Sequence, residues 1–472
     1  MVPADQGGGV MRVDVLTEPI AGLDEALTAV DGFDRALVTG LLRPPSDRAA
    51  GVTGLAHALG GTPLAARVTE AAAKTVAGAA DEEHLLTLAA ARNALLGSVH
   101  DALTSCVDAA IGRPTGESSF PAPGGPLAAN LLAAARSWLS ELARGGWTGI
   151  DHETVSGAAP IVSAMLPVPE LRRLATLLDG FTAELAASCP GTALERVPVR
   201  RWADLWSRAV LLTLPGALTP PATAPATGRL LPLGVDLQEH ATAVQAQVHA
   251  VFEPADGGPP RLVRAAASAP KPDTVVGAGP WQLLRPHLSL LNAVSEGRAM
   301  DLSAMPLTAG GDLIWNDEQA RAGEPAAPFT TARVVLPTAI RAATAPLDRH
   351  PAGLAAPVLL EGYTVEQDAA ETTFVLAGHR LAVAADRVPI AGPLTPGAVA
   401  ASSACIGLLR WDGGTFSVQP LAVETTVRKK TVAVHAGAWA GGTSDKVGAR
   451  AEKAATDAVA VLRERAGKLL RT

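Results

Sequence analysis

The spacing of apolar residues changes once along this chain, from a helical period to an alternating one. From Asp81, "DEEHLLTLAAARNALLGSVHDALTSCVDAAIG" places Leu85, Leu88, Leu95, Val99, Leu103, Val107 and Ile111 on one helical face. The acidic start of that segment suits the positive end of a helix dipole. "GGTPLAARVTEAAAKTV" offers Thr62 as an N-cap and Pro63 at the first helical position, with Leu64, Val68, Ala72 and Val76 following at helical spacing. Glycines bracket "GGPLAANLLAAARSWLSELARGG", in which Trp138 is expected to pack between helices. "PVPELRRLATLLDGFTAELAAS" and "VRRWADLWSRAVLLTL" complete the run. Short Gly/Pro connections predict antiparallel neighbours, so residues 16–217 read as an all-α domain, a bundle or a stack of helical hairpins.

The stretch "LTPPATAPATG", residues 218–228, reads as an extended Pro/Ala/Thr linker, open to proteolysis. Beyond it the pattern alternates. In "TAVQAQVHAVFEP", Val244, Ala246, Val248 and Ala250 face one way and Gln245, Gln247 and His249 the other. "RLLPLGVDLQ" is its expected partner and "GGPPRLVRAAAS" a third strand. Further strands are expected at "ARVVLP", "APVLLEGY", "TTFVLAG" and "HRLAVAAD", with one helix at "WQLLRPHLSLLNAV". Near the C-terminus, "ACIGLLRW" and "TFSVQPLAVE" flank Asp412-Gly413-Gly414, which supplies the positive φ angles of a tight hairpin. The Trp-Asp pair there has no counterpart at the ~40-residue period of a propeller blade. Residues 229–442 therefore read as a mainly antiparallel β domain, sandwich- or barrel-like. An amphipathic helix follows over 443–472, capped by Ser444. The fold class is a multi-domain α and β chain: an N-terminal all-α helical domain, then a C-terminal β-rich domain closed by a terminal helix.

Composition adds limits. The chain has 472 residues, 48% of them apolar, which is material for more than one core. Aromatics are 3%, too few for a nucleic-acid stacking platform. Three scattered cysteines, Cys106, Cys189 and Cys405, form no C-x-x-C pair, which argues against a disulfide framework and for a reducing cytosol. Residues 1–15 read as a disordered start without a signal peptide, and Met11 is a second candidate for initiation. No uncharged apolar stretch approaches the ~20 residues of a membrane span. Net charge is -7, but residues 425–472 hold ten Lys/Arg against four Asp/Glu, so the cations gather at one end. Such a tail suits an acidic partner; the acidic body disfavours nucleic acid.

Candidate chemistry is thin. "DTVVGAGPWQLL" resembles the glycine fingerprint of FAD- and NAD-binding proteins at Gly277 and Gly279, but Gln282 stands where a third glycine belongs. "GAWAGGTS" has phosphate-loop spacing, with Thr443 in place of the required lysine. His84 and His100 lie about 160° apart around one helix, and His240 and His249 fall on opposite faces of a strand, so neither pair shares a metal. "GIDHETVSG" gathers Asp151, His152, Glu153 and Ser156 and reads best as a helix cap. "SAPK", from Ser268, has S-x-x-K spacing in what reads as a proline-broken loop. Trp202 and Trp206, spaced i, i+4, are candidate interface residues, as are Arg428, Lys429 and Lys430.

Two stretches, "RRWADLWSRAVLLTLPG" and "LLPLGVDLQEHATAVQAQVHAVFEP", resemble uncharacterised proteins of GC-rich bacteria encoded beside SWIM zinc-finger proteins and MoxR-type AAA+ ATPases. The resemblance covers about a fifth of the chain and holds no catalytic motif. It implies an accessory subunit and transfers no active-site residue; with the composition and the thin chemistry, the expectation is a non-catalytic interaction protein of a cytosolic assembly, without cofactor or metal, partnered by a protein. The alternative is a nucleotide- or flavin-binding enzyme using the Gly277–Gly279 turn.

Overall fold

The computed structural model describes residues 11–114, 128–240, 242–271, 275, 279–284, 288–368, 371–443 and 446–469. Of the expected disordered start 1–15, residues 1–10 lie outside the described residues, as do Gly277 and Ser444. The remainder of that start is ordered: Val13–Thr17 is a helix, and Met11 and Val13 are buried. A helical half runs from Val13–Thr17 to Val199–Leu212, and a β half with two sheets follows, ending in the helix Lys446–Leu469. The longest helix, Glu82–Ile111, starts at a reciprocal cap: Asp81 accepts from the His84 amide, and His84 Nδ1 accepts from the Asp81 amide. Its predicted stripe is buried from Leu85 to Val107. Thr62 and Pro63 fall before the helix and not at its start: the helix is Ala65–Val76, its N-cap is Leu64 without a side-chain cap, and Thr62 Oγ1 accepts from the Leu64 amide. Asp151 caps the short helix His152–Ser156 as expected.

The first sheet contains β1 (Thr223–Glu239), β2 (Ala243–Pro254), β3 (Arg261–Pro270), β4 (Arg298–Thr308), β5 (Asp312–Leu313) and β6 (Ala320–Pro325). Pairings run β1-β2-β3-β5-β4, and β4 returns to β1, so the sheet closes into a small barrel with β6 alongside β4. Closure satisfies edges that an open sheet leaves bare. Val244, Ala246, Val248 and Ala250 point into the barrel, opposite Ala265 and Ala267 of β3; small side chains suit so narrow a ring.

The second sheet orders β7 (Ala356–Glu361), β11 (Ser402–Asp412), β12 (Thr415–Val427), β10 (His379–Val383), β9 (Thr372–Leu376) and β8 (Thr364–Gln367), with β13 (Lys430–His435) on β12. It packs on the outside of the barrel: Leu231, Leu233 and Val251 meet Ala404, Ile406 and Ala422. Gly234 marks the closest approach, since a Cβ there would stand 2.8 Å from Leu421 Cβ. The β half is thus mainly antiparallel and both barrel and sandwich; β3–β5 and β10–β12 are parallel pairs.

Three expectations need correction. The linker 218–228 is largely strand: β1 begins at Thr223, and Thr223 to Ala226 pair with Thr308 to Met305, leaving only 219–222 extended. Pro225 is tolerated there because it faces solvent, opposite Pro306. "ARVVLP" is helical: Pro328–Val334 is an α-helix with Pro328 in its first turn, and a 3₁₀ turn follows at Leu336–Thr338. "SAPK" is the end of β3, not a loop, with Ser268 opposite Gln245.

The two halves are joined by more than a connection. Val99, Leu103, Val107 and Ala110, the second half of Glu82–Ile111, share one core with Val13, Leu16 and both sheets. Its first half, Leu85 to Leu96, belongs to the helical core.

Candidate functional site

The predicted interface residues separate sharply. Trp202 and Trp206 are core, 1% and 0% exposed, so they offer no surface. Their i, i+4 spacing on Val199–Leu212 aims both inward: Trp202 meets Trp147 edge to face at 5.8 Å, and Trp206 lies 6.3 Å from Phe33 while its Nε1 donates to Leu139 O. Trp138, Trp147, Trp202, Trp206, Phe33 and Phe181 all pack in this interior, where each ring buries a large area.

Arg428 and Lys429 form the two-residue tip of the β12–β13 hairpin, and Lys430 begins β13 opposite Val427. Both tip residues adopt left-handed backbone, φ 50° and 65°, the geometry of a type I′ turn that normally selects Asn-Gly. All three cations are exposed. By the two-residue period, Val427, Lys430, Val432 and Val434 share one face. Val434 packs on the core, while Val427 and Val432 are 51% and 41% exposed, so an apolar strip runs out from the core towards the cationic tip. β13 pairs only with β12 among the described strands, and its other edge is free.

The dinucleotide resemblance fares differently. Gly279 opens a helix of only five residues, Gly279–Leu283, and is buried. Trp281 Nε1 donates to Ala391 O, and Gln282 Nε2 donates to Glu452 O of the terminal helix. The strands on either side, β3 and β4, are not neighbours in a parallel pair, so the βαβ frame of a dinucleotide site is missing here.

Within-element pairing of histidines misses what the tertiary fold assembles. His249 of β2 lies opposite Gly234 of β1 and Arg264 of β3, and Arg264 is in register with Asp312 of β5, making a polar row across the outer face of the barrel. His100 and Thr104 of the long helix, Arg341, and 353–357 cover that row, enclosing a cleft of ≈ 80 Å³. Each charge in it has a partner: Arg264 Nη2 donates to Asp312 at 3.1 Å and Gly310 O at 3.2 Å, and Arg341 Nε to Asp108 Oδ2 at 3.1 Å. His100 Nδ1 lies 3.0 Å from Asp101 Oδ1. His249 Nε2 has no partner among the described residues. Burial, reinforced by Arg264 and Arg410 against Asp236, drives the His249 pKa down to about 3, so the ring is neutral. Thr104 Oγ1 is spent on His100 O at 2.7 Å. The cleft joins the two halves rather than presenting a nucleophile. Beside it, Asp236 accepts from Arg410 and Gln419 across the sheet interface at 2.9 and 2.8 Å.

Among the described residues no group of three or more His, Cys, Asp or Glu side chains is placed to hold a metal ion, and no helix is long and apolar enough to cross a membrane. The three cysteines are free. No protein-family model, curated protein or solved structure matches the chain.

Proposed function

We propose that this chain is a non-catalytic accessory subunit of a cytosolic assembly, which docks a partner protein on the β12–β13 hairpin. The partner supplies an extended acidic segment that adds to the free edge of β13. The observation that carries this reading is the juxtaposition, on one exposed hairpin, of an unpaired strand edge, the apolar residues Val427 and Val432, and the cations Arg428, Lys429 and Lys430. An added strand gains main-chain hydrogen bonds from the edge, and alternate side chains give specificity. The cations favour an acidic segment and repel basic ones. Natural proteins blunt bare edges with charge; here the charges sit at the tip and leave two valines uncovered.

The test places a photo-cross-linking residue at Thr431 in the full chain and identifies the cross-linked protein by mass. An AAA+ ATPase is the first candidate to assay, from the gene-neighbourhood resemblance. Purified partner and chain should then bind with an affinity that falls with salt. The double variant Arg428→Glu/Lys429→Glu should weaken binding at least tenfold. Val432→Glu should do the same without changing the tip. Unchanged affinity in both variants would overturn the assignment. The enzyme alternative separates cleanly: added NAD, FAD or ATP should leave Tm unchanged, whereas a ligand at a hundredfold its Kd adds about 2.7 kcal/mol. A shift of several degrees with any of them would replace this reading.

A further inference from the structure

A larger cleft, of ≈ 500 Å³, opens where the end of helix Glu82–Ile111 meets β7 and the helical segment 328–338. Its wall is aliphatic, contributed by Met11, Ile111, Leu336, Pro337, Val358 and Leu359. Arg113 stands in it, its side chain 2% exposed. Nη2 donates to Pro357 O at 2.7 Å, but Nε and Nη1 find no hydrogen-bond partner among the described residues. The nearest carboxylate oxygen, Asp108 Oδ1, is 3.9 Å from Nη1, beyond hydrogen-bond reach. The other oxygen of Asp108 already accepts from Arg341.

Arg113, Arg341 and Asp108 thus set two guanidiniums against one carboxylate, a net positive charge in a poorly solvated place. Burial lowers the Arg113 pKa to about 10, opposed by Asp108 and aided by Arg341, so the group stays charged at neutral pH. A buried charge with only one of its three nitrogens hydrogen-bonded is costly, and its natural complement is an anion. At the rim, Arg333 is already bonded to Glu361 at 2.8 Å and to Glu424, one cation against two carboxylates, so the rim is net acidic and only the inner end beside Arg113 suits an anion. A volume of this size with mainly apolar walls and few convergent polar groups is typical of a small-molecule site. The absence of aromatic rings from the wall favours a flexible aliphatic body over a planar one.

We propose that this cleft binds an aliphatic monocarboxylate, its carboxylate bonded to Arg113 and its chain laid along the aliphatic wall. The site is separate from the hairpin edge and does not depend on it. The full chain is titrated with octanoate, followed by thermal unfolding and calorimetry, with 1-octanol and butyrate as comparisons. Octanoate should raise Tm in a saturable way, butyrate less, and 1-octanol should bind roughly ten- to hundredfold more weakly, because a neutral hydroxyl cannot answer the guanidinium. Arg113→Met should show the same loss for octanoate. If that variant does not fold, Leu359→Trp decides, since it fills the cleft and leaves the buried charges alone; it should abolish binding. Equal binding of octanol and octanoate, or wild-type binding by Leu359→Trp, would overturn the proposal.

Discussion

Two buried polar side chains make this molecule's stability sensitive to substitution and to pH. Arg92 is fully buried; its Nε and Nη2 donate to both oxygens of Asp34 at 2.6 and 2.8 Å, Nη2 also lies 2.7 Å from Asp204, and Nη1 donates to Ser207. Arg92→Met should cost ~3–5 kcal/mol, because it strands Asp34 in the core, and Asp34→Leu added to it should recover most of the loss. Urea unfolding of the single and double variants measures both. His249 makes the opposite kind of contribution. Unfolded, its ring takes a proton near pH 6.5; folded, burial holds it off until about pH 3. Between those values the unfolded chain binds more protons, so stability is full above pH 6.5 and falls as pH drops towards 3. His100, depressed by burial against Asp101, acts in the same direction. His249→Leu should flatten the fall in urea midpoint between pH 6.5 and 4.5; an unchanged slope would show that this ring titrates normally. None of these partners was legible in sequence. Arg92 and Asp34 are 58 residues apart, and nothing in either local pattern marks them as a pair.

At the scale of elements, the two hairpins of the second sheet differ in how well their turns suit them. Gly413 and Gly414 carry φ 57° and 91°, and a Cβ at either would meet nothing within 4 Å. Gly413→Val and Gly414→Val should therefore lose about 1–2 kcal/mol each through backbone conformation alone. Asp412→Asn should be neutral in stability. The neighbouring tip bears the strain openly, with Arg428 and Lys429 in a conformation that suits Asn-Gly. Arg428→Asn/Lys429→Gly should raise stability by about 1 kcal/mol while weakening partner binding. A stabilised variant that still binds fully would argue that the cations serve solubility only. Turn chemistry of this kind is local, which is why the first hairpin was readable from Asp412-Gly413-Gly414. "ARVVLP" was not, because a short apolar run carries no period of its own and Pro328 sets a helix going upstream. β4, with its Pro306 and mixed polarity, gave no alternating signal and exists because β1 and β6 flank it.

At the scale of the whole molecule, helix Glu82–Ile111 is the shared beam. At 1.5 Å per residue its 30 residues span about 45 Å, enough to lie in both cores. The 341–353 segment straps the halves a second time: Asp348 bonds Arg173 and Arg208, Arg349 bonds Asp101, and His350 Nε2 lies 3.2 Å from Asp204. Calorimetry should therefore show one unfolding transition, since one continuous helix contributes buried residues to both cores. Proteolysis at 219–222 should nick the chain without releasing a separable fragment, and residues 218–472 expressed alone should be poorly soluble, having lost the cover of Val99, Leu103 and Val107. Two resolved transitions, or a soluble β fragment, would show that the halves are independent.

Local rules sufficed for much of this protein: helical stripes in the first half, alternation in β2, the acidic helix start at Asp81, the cap at Asp151, and the Asp-Gly-Gly turn. These depend on residues within a few positions of each other, where period, capping and φ preference act directly. What the tertiary structure alone decided is where those elements meet. Closure of the barrel through a two-residue β5, the row from Gly234 to Asp312, the burial of Trp202 and Trp206, and the net charge around Arg113 all arise from contacts between distant segments. Burial and Coulomb interaction depend on distance in space, and the spacing of residues along a chain does not report it.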